Sequence, residues 1–129
     1  MPKSRKKLHV RMPSYRSPRN AWRRDLHAAI IAAQSRERVG YSSTDRLEVR
    51  VQLYLDSRAA AVHDVDNRLK DVLDALQGRA GGSKAVQSLA AVVPNDRQIY
   101  RVIIEKSPPS WQSRGLGHLW VRKLRPGAR

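Results

Sequence analysis

Residues 46–77 read RLEVRVQLYLDSRAAAVHDVDNRLKDVLDALQ and carry the two clearest structural signals of the chain. In Arg46–Leu55, apolar residues alternate with mostly polar ones, which is typical of a strand with one buried face. In Asp64–Gln77, apolar residues recur at three- and four-residue spacing, which predicts an amphipathic helix that ends at Gly78. This pair of elements predicts a fold in which a helix packs on a sheet.

Four further segments extend this pattern along the chain. The alternation in Lys7–Met12 predicts a short strand, and Gln98–Lys106 is rich in Ile, Val and Tyr, as strands are. A helix is predicted between Ser17, as its N-cap, and Gly40 at its end. Leu119–Leu124 fits an edge strand or a surface packed on a partner subunit. The order strand, helix, strand, helix, strand indicates the α+β class.

Charge is distributed unevenly along the chain, which has 129 residues and a formal net charge of +15. This length predicts a single domain over residues 1–129. Residues 25–105 contain equal numbers of acids and bases, so the excess positive charge lies toward the two ends. These ends include a basic N-terminal segment, 1–7, and a basic C-terminal tail, 107–129. Basic ends attract polyanions, so we expect a nucleic acid as the partner.

Composition also excludes several classes of site. The chain has no cysteine, which rules out disulfides, thiolate metal sites and cysteine nucleophiles and fits a reducing compartment. No apolar run approaches the ~18 residues of a membrane span, and no apolar stretch follows the basic start as in a signal peptide. We therefore expect a cytoplasmic protein without a membrane partner.

The acidic residues of Asp64–Gln77 form a candidate catalytic site. Asp64 in the loop and Asp66 in the first turn can direct both carboxylates to the helix entry. Two such carboxylates repel each other unless a cation lies between them, and oxygen ligands without Cys or His suit Mg²⁺. Lys70, one turn further, is placed to offset charge on a phosphate. With Asp96 as a further acid, the set fits metal-assisted phosphodiester hydrolysis.

Each of these residues also has a structural explanation. Asp64 suits a helix N-cap, and Asp66 in the first turn is favoured by the helix dipole. Lys70 and Asp74 are four residues apart and fit a surface ion pair, while Asp96 suits a turn. Taken singly, each residue fits its structural role; the combination favours a metal site.

Two motifs resemble a known family. The stretch Asp64–Lys70, DVDNRLK, followed by Asp74–Leu76, DAL, resembles the signature of the RusA family of Holliday junction resolvases. The later Asn95–Ile99, NDRQI, resembles that family's second acidic motif. The chain length and the predicted order of elements also fit, so the resemblance implies a RusA-like fold that forms a homodimer.

The resemblance also implies a function. It implies a Mg²⁺-dependent endonuclease, with Mn²⁺ as a substitute, that resolves four-way DNA junctions by paired symmetric nicks during recombination and repair. It implies Asp64, Asp66 and Asp96 as metal ligands and Lys70 as the catalytic lysine.

Three features depart from the family's pattern. Ala59–His63 stands where the family often carries a run of arginines, Gly78–Leu89 resembles an insertion, and Asn95 replaces a frequent second acid. DNA contacts are therefore expected from other basic residues. These are Lys3, Arg5, Lys6, Lys7, Arg16, Arg19, Arg58 and Arg68.

Two other functions stay open from the sequence. One is a non-catalytic, basic nucleic-acid-binding protein in which Asp64 and Asp66 only cap a helix. The other is a nuclease for different branched DNA, such as flaps or forks. Asn67 is expected to orient the region around Asp66. Trp111 and Trp120 fit stacking on unpaired bases or, alternatively, packing in the core or a dimer interface.

Overall fold

The computed structural model describes residues 7–56, 58, 63–80, 87–88, 91–109 and 115–124, apart from the side chains of residues 80, 87, 88 and 96. Its strands are β1 (Lys7–Met12), β2 (Leu47–Tyr54), β3 (Arg79–Ala80), β4 (Gln87–Ser88), β5 (Ile99–Ser107) and β6 (Gly117–Lys123). Its α-helices are α1 (Arg19–Glu37) and α2 (Val65–Leu76), and a 3₁₀ turn, Asp96–Gln98, precedes β5.

Four strands form one mixed sheet in the order β1-β6-β2-β5. β6 is antiparallel to both β1 and β2, whereas β5 pairs with β2 in parallel. Parallel neighbours need a crossover connection, which α2 provides. β3 and β4 form a separate two-stranded pair. The described residues thus fold as a small α+β domain with two helices and a four-stranded mixed sheet.

The hydrophobic core lies between the helices and one face of the sheet. Alternate residues of the strands point into it, because successive side chains of a strand point to opposite faces. Those of the inner strands and β1 are at most 1% exposed: Leu8, Val10, Met12, Leu47, Val49, Val51, Leu53, Leu119 and Val121. Helix α1 adds Trp22, Leu26, Ile30 and Ala33. Each large apolar side chain buried this way stabilises the fold by ~1.5–3 kcal/mol.

Both helices run in the same direction, antiparallel to β2. The guanidinium of Arg19, in the first turn of α1, donates to the carbonyl of Asn67 in the first turn of α2 (3.3 Å). At the far end of α2, the carbonyl of Leu76 accepts the amides of Val92 and Val93, both at 2.9 Å. The start of α2 therefore lies at the end of the sheet where β2 finishes.

Helix α2 is anchored by a buried carboxylate. Asp71 is fully buried, and its oxygens lie 2.7 Å from Arg19, 3.5 Å from Arg23 and 3.5 Å from Arg68. The guanidinium of Arg68 also lies over the ring of Tyr15, 4.8 Å from its centroid. A carboxylate buried this deeply is tolerated only because it is paired. This cluster fixes the position of α2 against α1.

Most predicted elements are confirmed, with shifts that have physical reasons. α1 begins at Arg19 with Pro18, not Ser17, as its N-cap residue, and the N-cap makes no side-chain hydrogen bond. Its end was wrongly placed at Gly40, because Arg38 adopts the left-handed conformation (φ 54°) that a glycine was expected to supply. The buried face of α2 includes Arg68 and Asp71, which an apolar pattern cannot reveal.

The C-terminal region differs most from expectation. The predicted strand at Leu119–Leu124 exists as β6, but the expected place at a sheet edge is wrong, because β6 lies between β1 and β2. Gly117 lets the start of β6 lie this close to β2, since a Cβ at this position would overlap the carbonyl oxygen of Gln52. Residues 117–123 of the basic tail are thus part of the sheet. No helix among the described residues is long and apolar enough to cross a membrane.

The Asp71 cluster gives a stability prediction. We expect Asp71→Asn to lower the free energy of unfolding by ~3–5 kcal/mol, because it leaves buried guanidinium groups without their counter-ion. Urea denaturation followed by circular dichroism measures this. Asp25→Asn is the matched control, since Asp25 forms its ion pair with Arg16 at the surface. Equal losses in the two variants would contradict an anchoring role for Asp71.

Candidate active site and nucleic-acid interface

The predicted acidic pair lies exposed at the start of α2. Asp64 occupies the N-cap position, as predicted, but its side chain makes no capping hydrogen bond. Its Oδ2 instead accepts the side-chain amide of Asn67 at 3.3 Å. Asp66 follows in the first turn and is exposed. Asn67 therefore orients Asp64, and both carboxylates remain open to solvent.

Lys70 shares the exposed side of α2 with Asp66. The two residues are four apart, so they lie on one helix face, and both are exposed. Asp74 was expected to pair with Lys70 or with an arginine, and it pairs with an arginine. An oxygen of Asp74 lies 2.7 Å from a guanidinium nitrogen of Arg23 on α1. Asp74 thus belongs to the contact between the helices, and Lys70 stays on the side of the acidic pair.

His63, next to Asp64, is partly buried at the same end of the domain. Its ring meets the ring of Tyr15 edge-on, with 4.8 Å between centroids and 79° between planes. Burial lowers the pKa of His63, and the nearby charges of Arg68 and Lys106 lower it further. A lowered pKa favours the neutral imidazole, which is the form that accepts a proton.

The second acidic motif lies at the other end of the sheet. The amide of Gln98 donates to the carbonyls of Ser42 (2.8 Å) and Asp45 (2.9 Å), in the loop that leads into β2. Gln98 is therefore a structural residue of the 3₁₀ turn that contains Asp96. Asp64 and Asp66 lie at the opposite end of α2, which at ~1.5 Å rise per residue is about 18 Å long. The backbone of one chain does not bring the two motifs together.

No group of three or more His, Asp or Glu side chains in the described part of the chain is placed to hold a metal ion. The side chain of Asp96 lies outside the described atoms, so its role as a ligand stays a prediction. A cleft of about 340 Å³ lies beside its turn and is lined by Ser43, Thr44, Asp45, Arg46, Asn95, Arg97, Gln98 and Tyr100.

The predicted DNA-binding residues occupy different environments. Arg16 is paired with Asp25 at 2.6 Å, and Arg19 is paired with Asp71. The Arg68 side chain is only 7% exposed, which leaves little of it for a phosphate. Lys7 and Arg58 are exposed. The remaining candidates, Lys3, Arg5 and Lys6, lie outside the described residues, as does Trp111.

A second candidate surface appears on the side of the sheet that faces away from the helices. The pairing of β1 with β6 brings the basic ends of the chain side by side, with Lys7 opposite Arg122 and Arg11 opposite His118. We call this surface the open face. It carries His9, Arg11, Arg50, His118, Trp120 and Arg122. Sequence patterns alone do not reveal this surface, because it depends on which strands become neighbours.

Three aromatic rings form the centre of the open face. The centroid of the Trp120 ring lies 5.3 Å from those of His9 and His118, and the three planes are within 29° of one another. Nε2 of His9 and Nδ1 of His118 share a hydrogen bond of 2.9 Å. Ring nitrogens lie at the ring edge, so the two imidazoles meet edge to edge. The guanidinium of Arg50 lies 5.5 Å from the Trp120 centroid.

The imidazoles of the open face are held in the neutral form. Burial lowers the pKa of His9 and of His118, and the charge of Arg11 lowers both further. Lys7 and Arg36 act in the same direction on His9, whereas Glu37 raises its pKa. A hydrogen bond between two ring nitrogens needs one donor and one acceptor, so it requires at least one neutral ring.

Comparison with known proteins adds no family assignment. Neither the models of protein families nor the curated proteins contain a match to this chain. The likeness to RusA resolvases therefore rests on the two acidic motifs and the order of elements.

The lowered histidine pKa values predict a pH dependence of stability. Their folded values lie below the ordinary 6.5, so the unfolded chain binds more protons in that range. The stabilisation is complete above pH ~6.5 and is lost as the pH falls through the folded values. Urea midpoints measured between about pH 7 and 5 should fall. The double variant His9→Gln/His118→Gln should flatten this fall, leaving the part due to His63, and an unchanged slope would contradict the assignment.

Proposed function

We propose that the protein is a Mg²⁺-dependent, structure-selective DNA endonuclease of the RusA type, with Mn²⁺ as a substitute, that acts on four-way junctions as a homodimer. The observation that carries the proposal is the exposed acidic pair at the start of α2, with Lys70 exposed one helical turn after Asp66. Asp64 makes no capping hydrogen bond, so capping of α2 does not account for its carboxylate.

The residues at this entry fit a hard cation. Asp64 and Asp66 offer carboxylate oxygens to solvent, and Mg²⁺ commonly takes one or two carboxylates together with waters and a phosphate. Bound there, the ion would supply Lewis-acid activation of water and charge neutralisation. Asn67 holds the carboxylate of Asp64. Lys70 offsets negative charge on the scissile phosphate, and His63 is placed nearby to accept a proton.

A dimer resolves the separation between the two acidic motifs. β5 is an edge strand of the described sheet, with Tyr100 63% and Val102 40% exposed. If two copies pair antiparallel about Ile103, Arg101 of each chain lies opposite the partner's Glu105. Antiparallel pairing also reverses the chain direction, so the turn before one β5 lies at the end where the other chain's α2 begins. Asp96 would then join the acidic pair of a second subunit.

Two alternatives remain as outcomes of the tests. The basic and aromatic open face favours a nucleic-acid-binding protein without catalysis, in which Asp64 only occupies an N-cap position. A nuclease for flaps or forks would share the acidic site and differ only in the DNA shape it selects. Cleavage assays on junction, flap and fork substrates separate these three functions.

We expect Asp66→Asn and Lys70→Ala to abolish nicking of a synthetic four-way junction in Mg²⁺ while leaving the thermal melt unchanged. Asp66→Asn removes a metal ligand, and Lys70→Ala removes the charge that faces the phosphate. Asp25→Asn on α1 is the matched control and should cut normally. Cleavage at the wild-type rate by Asp66→Asn would rule out the metal site.

Mixed dimers test whether the site is shared between subunits. Asp66→Asn and Asp96→Asn should each be inactive alone. If each site takes Asp66 from one chain and Asp96 from the other, unfolding and refolding the two variants together should restore one intact site in each mixed dimer. Those dimers should nick one strand of the junction. No recovery, with heterodimers shown by mass spectrometry, would place all ligands within one chain.

A further inference from the structure

We propose that the open face of the sheet is a binding platform for unpaired nucleobases. Its aromatic centre consists of His9, His118 and Trp120, and its basic border includes Arg11 and Arg50. This proposal concerns binding alone and does not depend on the acidic site, so it holds or fails without reference to cleavage.

The open face carries an excess of positive charge, which favours a polyanion as its ligand. Five basic side chains point from this side of the sheet, namely Lys7, Arg11, Arg50, Arg101 and Arg122. Among the described strand residues of this side, two carboxylates accompany them, Glu48 and Glu105, and Glu37 of α1 accepts the backbone amide of His9 at 3.2 Å. Glu48 is ion-paired with Arg101 and Arg122, and Glu105 lies 3.9 Å from Arg50. Arg11 and Lys7 are exposed beside this network and suit phosphate contacts.

The rings select bases whose faces are free. His9 and His118 each stack with Trp120, and all three side chains are half-buried, so the cluster presents part of its aromatic surface to a further ring. Bases stack on aromatic side chains of sheet surfaces only when they are unpaired, since a duplex buries the faces of its bases. The shared hydrogen bond needs at least one neutral ring, and the lowered pKa values of both imidazoles favour that form.

A second copy of the chain fits the open face less well. Two such faces brought together would oppose their arginines, and like charges disfavour an interface core. The edge of β5, with its exposed apolar side chains and alternating charges, is the more suitable contact between copies. A single strand of nucleic acid offers phosphates for the basic side chains and unpaired bases for the aromatic rings.

Binding without cleavage tests the proposal. Fluorescence anisotropy with a labelled oligothymidine of about 16 nucleotides, in EDTA, compares wild type with Trp120→Ala and Trp120→Phe. We expect Trp120→Ala to weaken binding about 5- to 150-fold, the range of one stacked base, and Trp120→Phe to weaken it less. A duplex of equal length should be little affected. The control Arg24→Gln removes an exposed charge on α1, away from the open face.

Two further measurements distinguish base stacking from binding through phosphates alone. Lys7→Gln and Arg11→Gln should each reduce the slope of log affinity against log salt by about 0.7, as expected for one phosphate contact. Oligothymidine should quench tryptophan fluorescence in wild type but not in Trp120→Phe. Equal loss of single-strand and duplex binding in folded Trp120→Ala would overturn the stacking role. A dimer that dissociates in Trp120→Ala would instead make this surface a protein interface.

Discussion

The insertion of β6 between β1 and β2 is the constraint on which the rest of the structure depends. It joins the two ends of the chain, because its partners lie near the N-terminus and in the middle of the sequence. It closes the core with Leu119 and Val121, both fully buried. It also brings two basic regions onto one surface, which the linear distribution of charge does not show. Core packing and surface charge are therefore set by the same strand pairing.

The Asp71 cluster determines which charged residues remain exposed at the start of α2. Three guanidinium groups gather on one buried carboxylate, and Arg23 also takes Asp74. Arg19 and Arg68, which were expected to contact DNA, thus serve the contact between α1 and α2. The charges left at the start of α2 are Asp64, Asp66 and Lys70. An exposed acidic pair in a strongly basic chain persists more readily if a cation compensates it.

The sequence predicts what is local and misses what depends on neighbours in space. Alternation located β1 and β2 within one residue, because a single buried face imposes it. Helical spacing located α2 but not its buried Arg68 and Asp71, since paired charges break an apolar pattern. The helical spacing of apolar residues after Asp64 correctly predicted that Asp64 and Asp66 lie at the start of a helix. Their relation to Asp96 depends on strand order, which no local pattern contains.

The two candidate surfaces are compatible within one molecule. His118 is adjacent to Gly117, which pairs with Met12 and Leu53 at the end of the sheet where α2 begins. A strand bound along β6 toward His118 therefore runs toward the edge of the domain that carries the acidic pair. A branched DNA offers both features that this geometry needs, unpaired bases at its centre and duplex phosphates around them. On the proposed function, capture of bases on the open face would direct a backbone phosphate toward the carboxylates at the start of α2.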